Sequence, residues 1–140
     1  MKTQKIGYWA ATSLVALAFA AGGAMDLSGA PAVLESMAKL GYPAYLASLL
    51  GVWKLLGVAA VLTPRFPLLK EWAYAGMFFD LTGAAVSHAA SGDAMGKVVT
   101  PLVLLSLVLV SWSLRPEGRT LKALEERTGR TALGRAAAAA

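Results

Sequence analysis

A chain of 140 residues in which 57% are hydrophobic and 15% charged, with a mean hydropathy of +0.60, is too apolar and too charge-poor for an ordinary water-soluble domain. The formal net charge of +5 comes from Lys and Arg gathered near the ends of apolar runs and in the tail, which marks membrane orientation and attraction to anionic lipid, not nucleic-acid binding. With no cysteine and one histidine, the chain by itself cannot carry a thiolate nucleophile, an iron–sulfur cluster or a bis-histidine haem, and a conventional zinc site is not expected.

Four apolar runs, at about residues 6–26, 43–63, 70–91 and 97–114, are each close to the roughly 20 residues that a helix needs to cross a hydrocarbon core. Backbone groups cannot go unpaired in lipid, so the fold class expected is all-α: an integral membrane four-helix transmembrane bundle. The first run follows Lys2 and Lys5 and ends in small residues, as a signal peptide would, but it is longer than a signal core and three further runs follow it. Tyr8 and Trp9 stand where an interfacial anchor would.

Pro31 to Leu40 reads as a short interfacial helix after the first span. Pro31 suits its first position, Val33, Leu34, Met37 and Leu40 fall on one side, and Gly41 can end it. It is either a lid along the outer interface or a plain connector. The second run starts at Pro43 with Tyr42 and Tyr45 beside it, and carries Trp53 and Lys54 near its middle. Pro64-Arg-Phe-Pro67 forces a tight turn, so the second and third runs are antiparallel neighbours.

The third run carries Glu71, Asp80, Ser87 and His88. The fourth is free of charge from Val98 until Arg115, after which Pro116 and Gly118 break the helix. Residues 1–115 therefore form the membrane domain, and 116–140 a basic cytoplasmic tail with a short amphipathic helix over Thr120 to Thr128. Lys2, Lys5, Arg65, Lys70 and the tail cations fall on one side, against Lys39 and Lys97 on the other, so both termini are expected in the cytoplasm.

Lys54 lies about 16 Å below the outer end of its run, and Asp80 about 15 Å above the inner end of its own, at 1.5 Å per residue. In a core about 30 Å thick these depths coincide. Gly51, Lys54 and Val58 share one helix face, as do Gly76, Asp80, Ala84 and Ser87, so small residues flank both charges. Either the two form an ion pair that fixes helix register, or they form the floor of a ligand pocket or a protonation site.

Asp26 and His88 fall near the outer face, where they are either a proton relay or two polar groups wetted by headgroups. Glu71 stands where it could cap the third helix. Ser87 and His88 cannot act as a nucleophile–base pair, because adjacent helical residues point apart. Ala10, Ala11, Gly22 and Gly23 offer small-residue contacts to a second copy in a homo-oligomer.

Leu40-Gly-Tyr-Pro-Ala-Tyr-Leu, Gly51-Val-Trp-Lys-Leu-Leu-Gly57 and Leu69-Lys-Glu-Trp-Ala-Tyr-Ala-Gly-Met-Phe-Phe-Asp-Leu-Thr-Gly-Ala-Ala-Val-Ser-His88 resemble the DoxX-like family of small bacterial membrane proteins, from about Tyr8 to Arg115. Lys54, Glu71, Asp80 and His88 fall inside the matching motifs. The resemblance implies a four-helix bundle in the bacterial inner membrane. It also implies a link to quinone-coupled sulfur oxidation or to membrane complexes that resist oxidative stress, although many members have no assigned activity.

Two functions from different classes fit. One is a non-catalytic subunit or assembly factor of a quinone-linked membrane redox system, with an oxidoreductase as partner. The other is a binder or carrier of a small molecule, lipid or quinone, in which Lys54 and Asp80 hold the polar group and aromatic residues such as Trp53 hold the apolar body. A self-contained enzyme with Asp80 or His88 as acid or base ranks last, since neither nucleophile nor cofactor is visible.

Overall fold

A computed structural model describes residues 2–122, 125, 126, 128 and 129. Among them the chain is all-helical: α1 (Lys2–Ser28), α2 (Pro31–Lys39), α3 (Ala44–Leu62), α4 (Pro67–Ala90) and α5 (Met95–Ser113), followed by a short 3-10 turn at Glu117–Arg119. The amphipathic helix expected over Thr120 to Thr128 falls partly outside the described residues, and the terminal alanines wholly so.

The helix ends follow from local chemistry. Gly41 and Gly92 adopt left-handed φ angles of 77° and 66°. Each closes its helix with paired backbone bonds, Tyr42 N–H to Met37 O at 2.9 Å and Asp93 N–H to His88 O at 3.0 Å, which satisfy carbonyls that the helix leaves free. Between α3 and α4 the turn is tight enough that Arg65 and Phe66 both take positive φ, and Pro67 then opens α4. Pro101 lies inside α5 and is buried, removing one bond from the helical ladder where α5 meets the outer cleft described below.

The four long helices contact one another in a cycle. α1 packs on α3 and α5, α4 packs on α3 and α5, and α2 rests on α3. Val15, Phe19, Val61, Tyr74, Met77, Leu81 and Val108 fill the centre. Polar groups pass through it in a connected chain, Thr12 to Ser111 at 2.7 Å and Ser111 to Tyr74 at 2.8 Å, which joins α1, α5 and α4 without leaving a buried hydroxyl unpaired.

Ile6, Leu17, Leu56, Trp72 and Phe79 point outward and are largely exposed, as expected of a surface whose solvent is hydrocarbon. α1, α3 and α5 are long and apolar enough to cross a membrane. α4, interrupted by Lys70, Glu71, Asp80 and His88, is not among these three.

Three sequence expectations change at the end of the bundle that holds the α3–α4 turn, labelled inner after the sequence expectation, with the opposite end labelled outer. Lys70, counted in the sequence among the cations on the cytoplasmic side, is fully buried. It donates to Ala60 O and Val61 O at 2.8 Å each and to Thr63 O, so an ammonium from the first turn of α4 caps the free carbonyls ending α3. Tyr8, expected as an interfacial anchor, is buried beneath Arg119, which donates to its hydroxyl at 3.0 Å. Glu71 makes no cap. It accepts from Arg115 Nη2 at 2.7 Å and from Trp112 Nε1 at 2.9 Å, tying α4 to the end of α5.

Candidate functional site

α1 and α3 cross at two glycines. A Cβ on Gly51 would lie 2.8 Å from Leu27 Cγ and 2.9 Å from Gly23 O, and one on Gly23 would lie 3.1 Å from both Gly51 O and Lys54 Cβ. Only glycine allows this approach, and it sets the register of α1 on α3. Asp26 follows Gly23 by three residues, so it shares the same face one turn nearer the outer end.

That register delivers Asp26 to Lys54. Lys54 Nζ donates to Asp26 Oδ2 at 2.8 Å and lies 3.9 Å from Asp80 Oδ2, with side-chain exposures of 22%, 9% and 18% for Lys54, Asp26 and Asp80. The depth-matched partners are thus adjacent, but a third residue holds the shorter contact. The asymmetry has a geometric cause. Helical side chains lean toward their own N-terminus, so Lys54 on descending α3 leans outward to Asp26, while Asp80 on ascending α4 leans inward and away.

Asp26 and His88, grouped by depth in the sequence, are not paired. His88 Nδ1 meets Asp93 Oδ2 at 2.7 Å, and Lys39 Nζ also bonds Asp93. Asp93 lies in the α4–α5 loop, outside the helices. Its carboxyl is held down to about 2, first by the Lys39 hydrogen bond and then by the one from His88. Sequence reasoning missed Asp93. Its signal is the helix-ending Gly92 four residues after His88, which folds the next residue back over the last turn of α4. Ser87 bonds Tyr42 through their hydroxyls at 2.8 Å.

Two cavities flank the Asp26–Lys54–Asp80 triad. A groove of about 440 Å³ runs between α3 and α4, lined by Leu50, Trp53, Lys54, Trp72, Met77 and Asp80, with Gly57 and Gly76 in its wall. The small residues near Asp80 were expected to bring helices together. Instead Gly76 is exposed, with nothing within 4 Å of a Cβ placed there, so its missing side chain opens the groove. An outer cleft of about 550 Å³ lies under α2 and is lined by Asp26, Met37, His88, Lys97 and Pro101. Because Lys54 and Asp80 face the groove while Asp26 faces the cleft, the 2.8 Å bond stands between the two spaces.

The groove combines apolar walls with the charges of Lys54 and Asp80, which suits an apolar molecule with a polar head. Among the described residues no three His, Cys, Asp or Glu side chains converge as a metal site requires. Of the small residues proposed for contacts between copies, Ala11 and Gly23 are buried within the chain itself.

The sequence profile of the DoxX-like family matches residues 10–111. No curated protein and no solved structure matches the chain.

Proposed function

The chain belongs to the DoxX-like family, and from that premise and the groove between α3 and α4 we propose that it is a multi-pass membrane protein that binds or carries an amphipathic small molecule, with Lys54 and Asp80 at the head of the site. The observation that carries this reading is the groove itself: about 440 Å³, walled by Trp53, Trp72 and aliphatic residues, with Lys54 and Asp80 as its charged groups. That volume is in the range typical of small-molecule sites.

In this reading α4 is the fourth crossing and completes the transmembrane bundle. Its 24 residues extend about 36 Å at 1.5 Å per residue, and its mid-helix charge is offset by Lys54 rather than left facing lipid. The Lys and Arg distribution supports a topology with both termini on the cytoplasmic side, and the family resemblance supports a bacterial inner membrane. A lipid or a quinone-like molecule fits the site in size and shape. The subunit reading, in which the chain serves a redox complex, has its own test in copurification with a larger oxidoreductase.

Gly76→Phe provides the decisive variant, since the position has room for a ring and the ring would occupy the groove. Native mass spectrometry of gently purified protein should show a retained lipid-like mass on the wild type and its loss in Gly76→Phe, with the melting temperature kept. An empty wild type, or equal retention by both proteins, overturns the proposal.

A further inference from the structure

Resting on that binding reading, we propose that the groove selects amphiphiles with a cationic, hydrogen-bond-donating head, a primary ammonium on an apolar chain, and rejects anionic ones. The site holds two carboxylates and one ammonium, so Asp26, Lys54 and Asp80 together carry one net negative charge when ionised. Lys54 does not serve the two acids equally. Its hydrogen bond goes to Asp26 at 2.8 Å, and Asp80 is left at 3.9 Å with an ion pair but no hydrogen-bond donor among the described residues.

Asp80 is also the acid that lines the groove, whereas Asp26 lines the cleft on the other side. A molecule entering between α3 and α4 therefore meets an acceptor short of donors, in a wall with no other charged group than the already committed Lys54. An ammonium placed there supplies the missing donors and neutralises the excess charge. A carboxylate or phosphate head would instead face the partly buried Asp80 at close range, and like charges set together are strongly unfavourable. Trp53 and Trp72 line the same groove, and indole faces attract ammonium groups as well as hydrocarbon.

The inference can be tested apart from the binding reading. Dodecylamine, dodecanol and dodecanoate share one chain and differ in the head. Their binding to the full-length protein in neutral maltoside micelles can be followed by tryptophan fluorescence, with Gly76→Phe as the blocked control. The expected order is amine, then alcohol, then carboxylate, with amine ahead of carboxylate by at least about tenfold.

Asp80→Asn keeps the shape and removes the charge, so it should abolish the amine preference, with dodecylamine then binding no better than dodecanol. Asp93→Asn removes an acid outside the groove and should leave the preference unchanged. Carboxylate bound as well as amine, or a preference that survives Asp80→Asn, overturns the selectivity while the binding reading stands. Failure of all three probes to bind above the Gly76→Phe control overturns the binding reading itself.

Discussion

Lys54 is the residue on which the interior charge balance turns, because it lies between two carboxylates from different helices. Removing one member of a buried ion pair leaves an uncompensated charge and costs about 3–5 kcal/mol. Lys54→Met leaves two acids facing each other and should cost that much, measured by denaturant titration in mixed micelles. Asp80→Asn should cost less, because the 3.9 Å contact carries no hydrogen bond. The double variant Lys54→Met/Asp26→Asn should recover much of the loss, since neighbours that share a contact are not additive. Additive effects would mean that the 2.8 Å bond contributes nothing. The Lys54–Asp80 proximity was legible in the sequence because depth along a span is a matter of counting. The Lys54–Asp26 bond was not, since it depends on which way each side chain leans and on how α1 slides against α3.

At the level of helices, two glycines that look alike in the sequence have opposite uses. Gly51 is buried where α1 crosses α3, and its absent Cβ would strike both a side chain and the backbone oxygen of Gly23. Gly76 borders open groove. Gly51→Leu should therefore force α1 and α3 apart, costing about 1–3 kcal/mol in the manner of overpacked cores, and separating Asp26 from Lys54. Gly76→Leu should be neutral or slightly stabilising, because it replaces a poor helix former without a clash. Thermal unfolding of both variants in the same detergent checks the contrast, and equal losses would contradict it. Hydropathy made the long helices readable, and the two prolines made the α3–α4 turn readable. A stripe of small residues says only that space exists at a helix face. Whether a neighbouring helix or a cavity fills that space is set by packing across the whole cycle. For the same reason Lys70 read only as a cation marking topology: capping the end of α3 requires that its side chain fold back across the turn, which spacing alone does not reveal.

Across the molecule, the two ends are fastened by different chemistry. The inner end is closed by Lys70, Arg115 and Arg119 reaching into helix termini and aromatic rings, contacts in which the cation is buried or half-buried. The outer end is fastened by Asp93, which ties Lys39 at the end of α2 and His88 at the end of α4 to the α4–α5 loop, with Lys97 nearby. α2 walls the outer cleft, so release of this tie is expected to uncover the cleft. The Asp93 carboxyl is depressed from its ordinary 3.8 to about 2 in the folded protein. A depressed carboxyl contributes stability that is fully present above its unfolded value and is lost as pH falls through the folded one. The tie should hold from neutral pH down to about 4 and release between about 4 and 2. Nitroxide labels on the exposed Ala38 of α2 and Val99 of α5 should report a single short distance above that window and a broadened, longer distribution below it. In Asp93→Asn the long distribution should be present at every pH, while a second label pair across α1 and α3 remains unchanged. If α2 keeps its short distance in the variant, the Asp93 tie is not what covers the cleft, and the contacts of α2 with α3, together with the Tyr42–Ser87 hydroxyl bond, hold it instead.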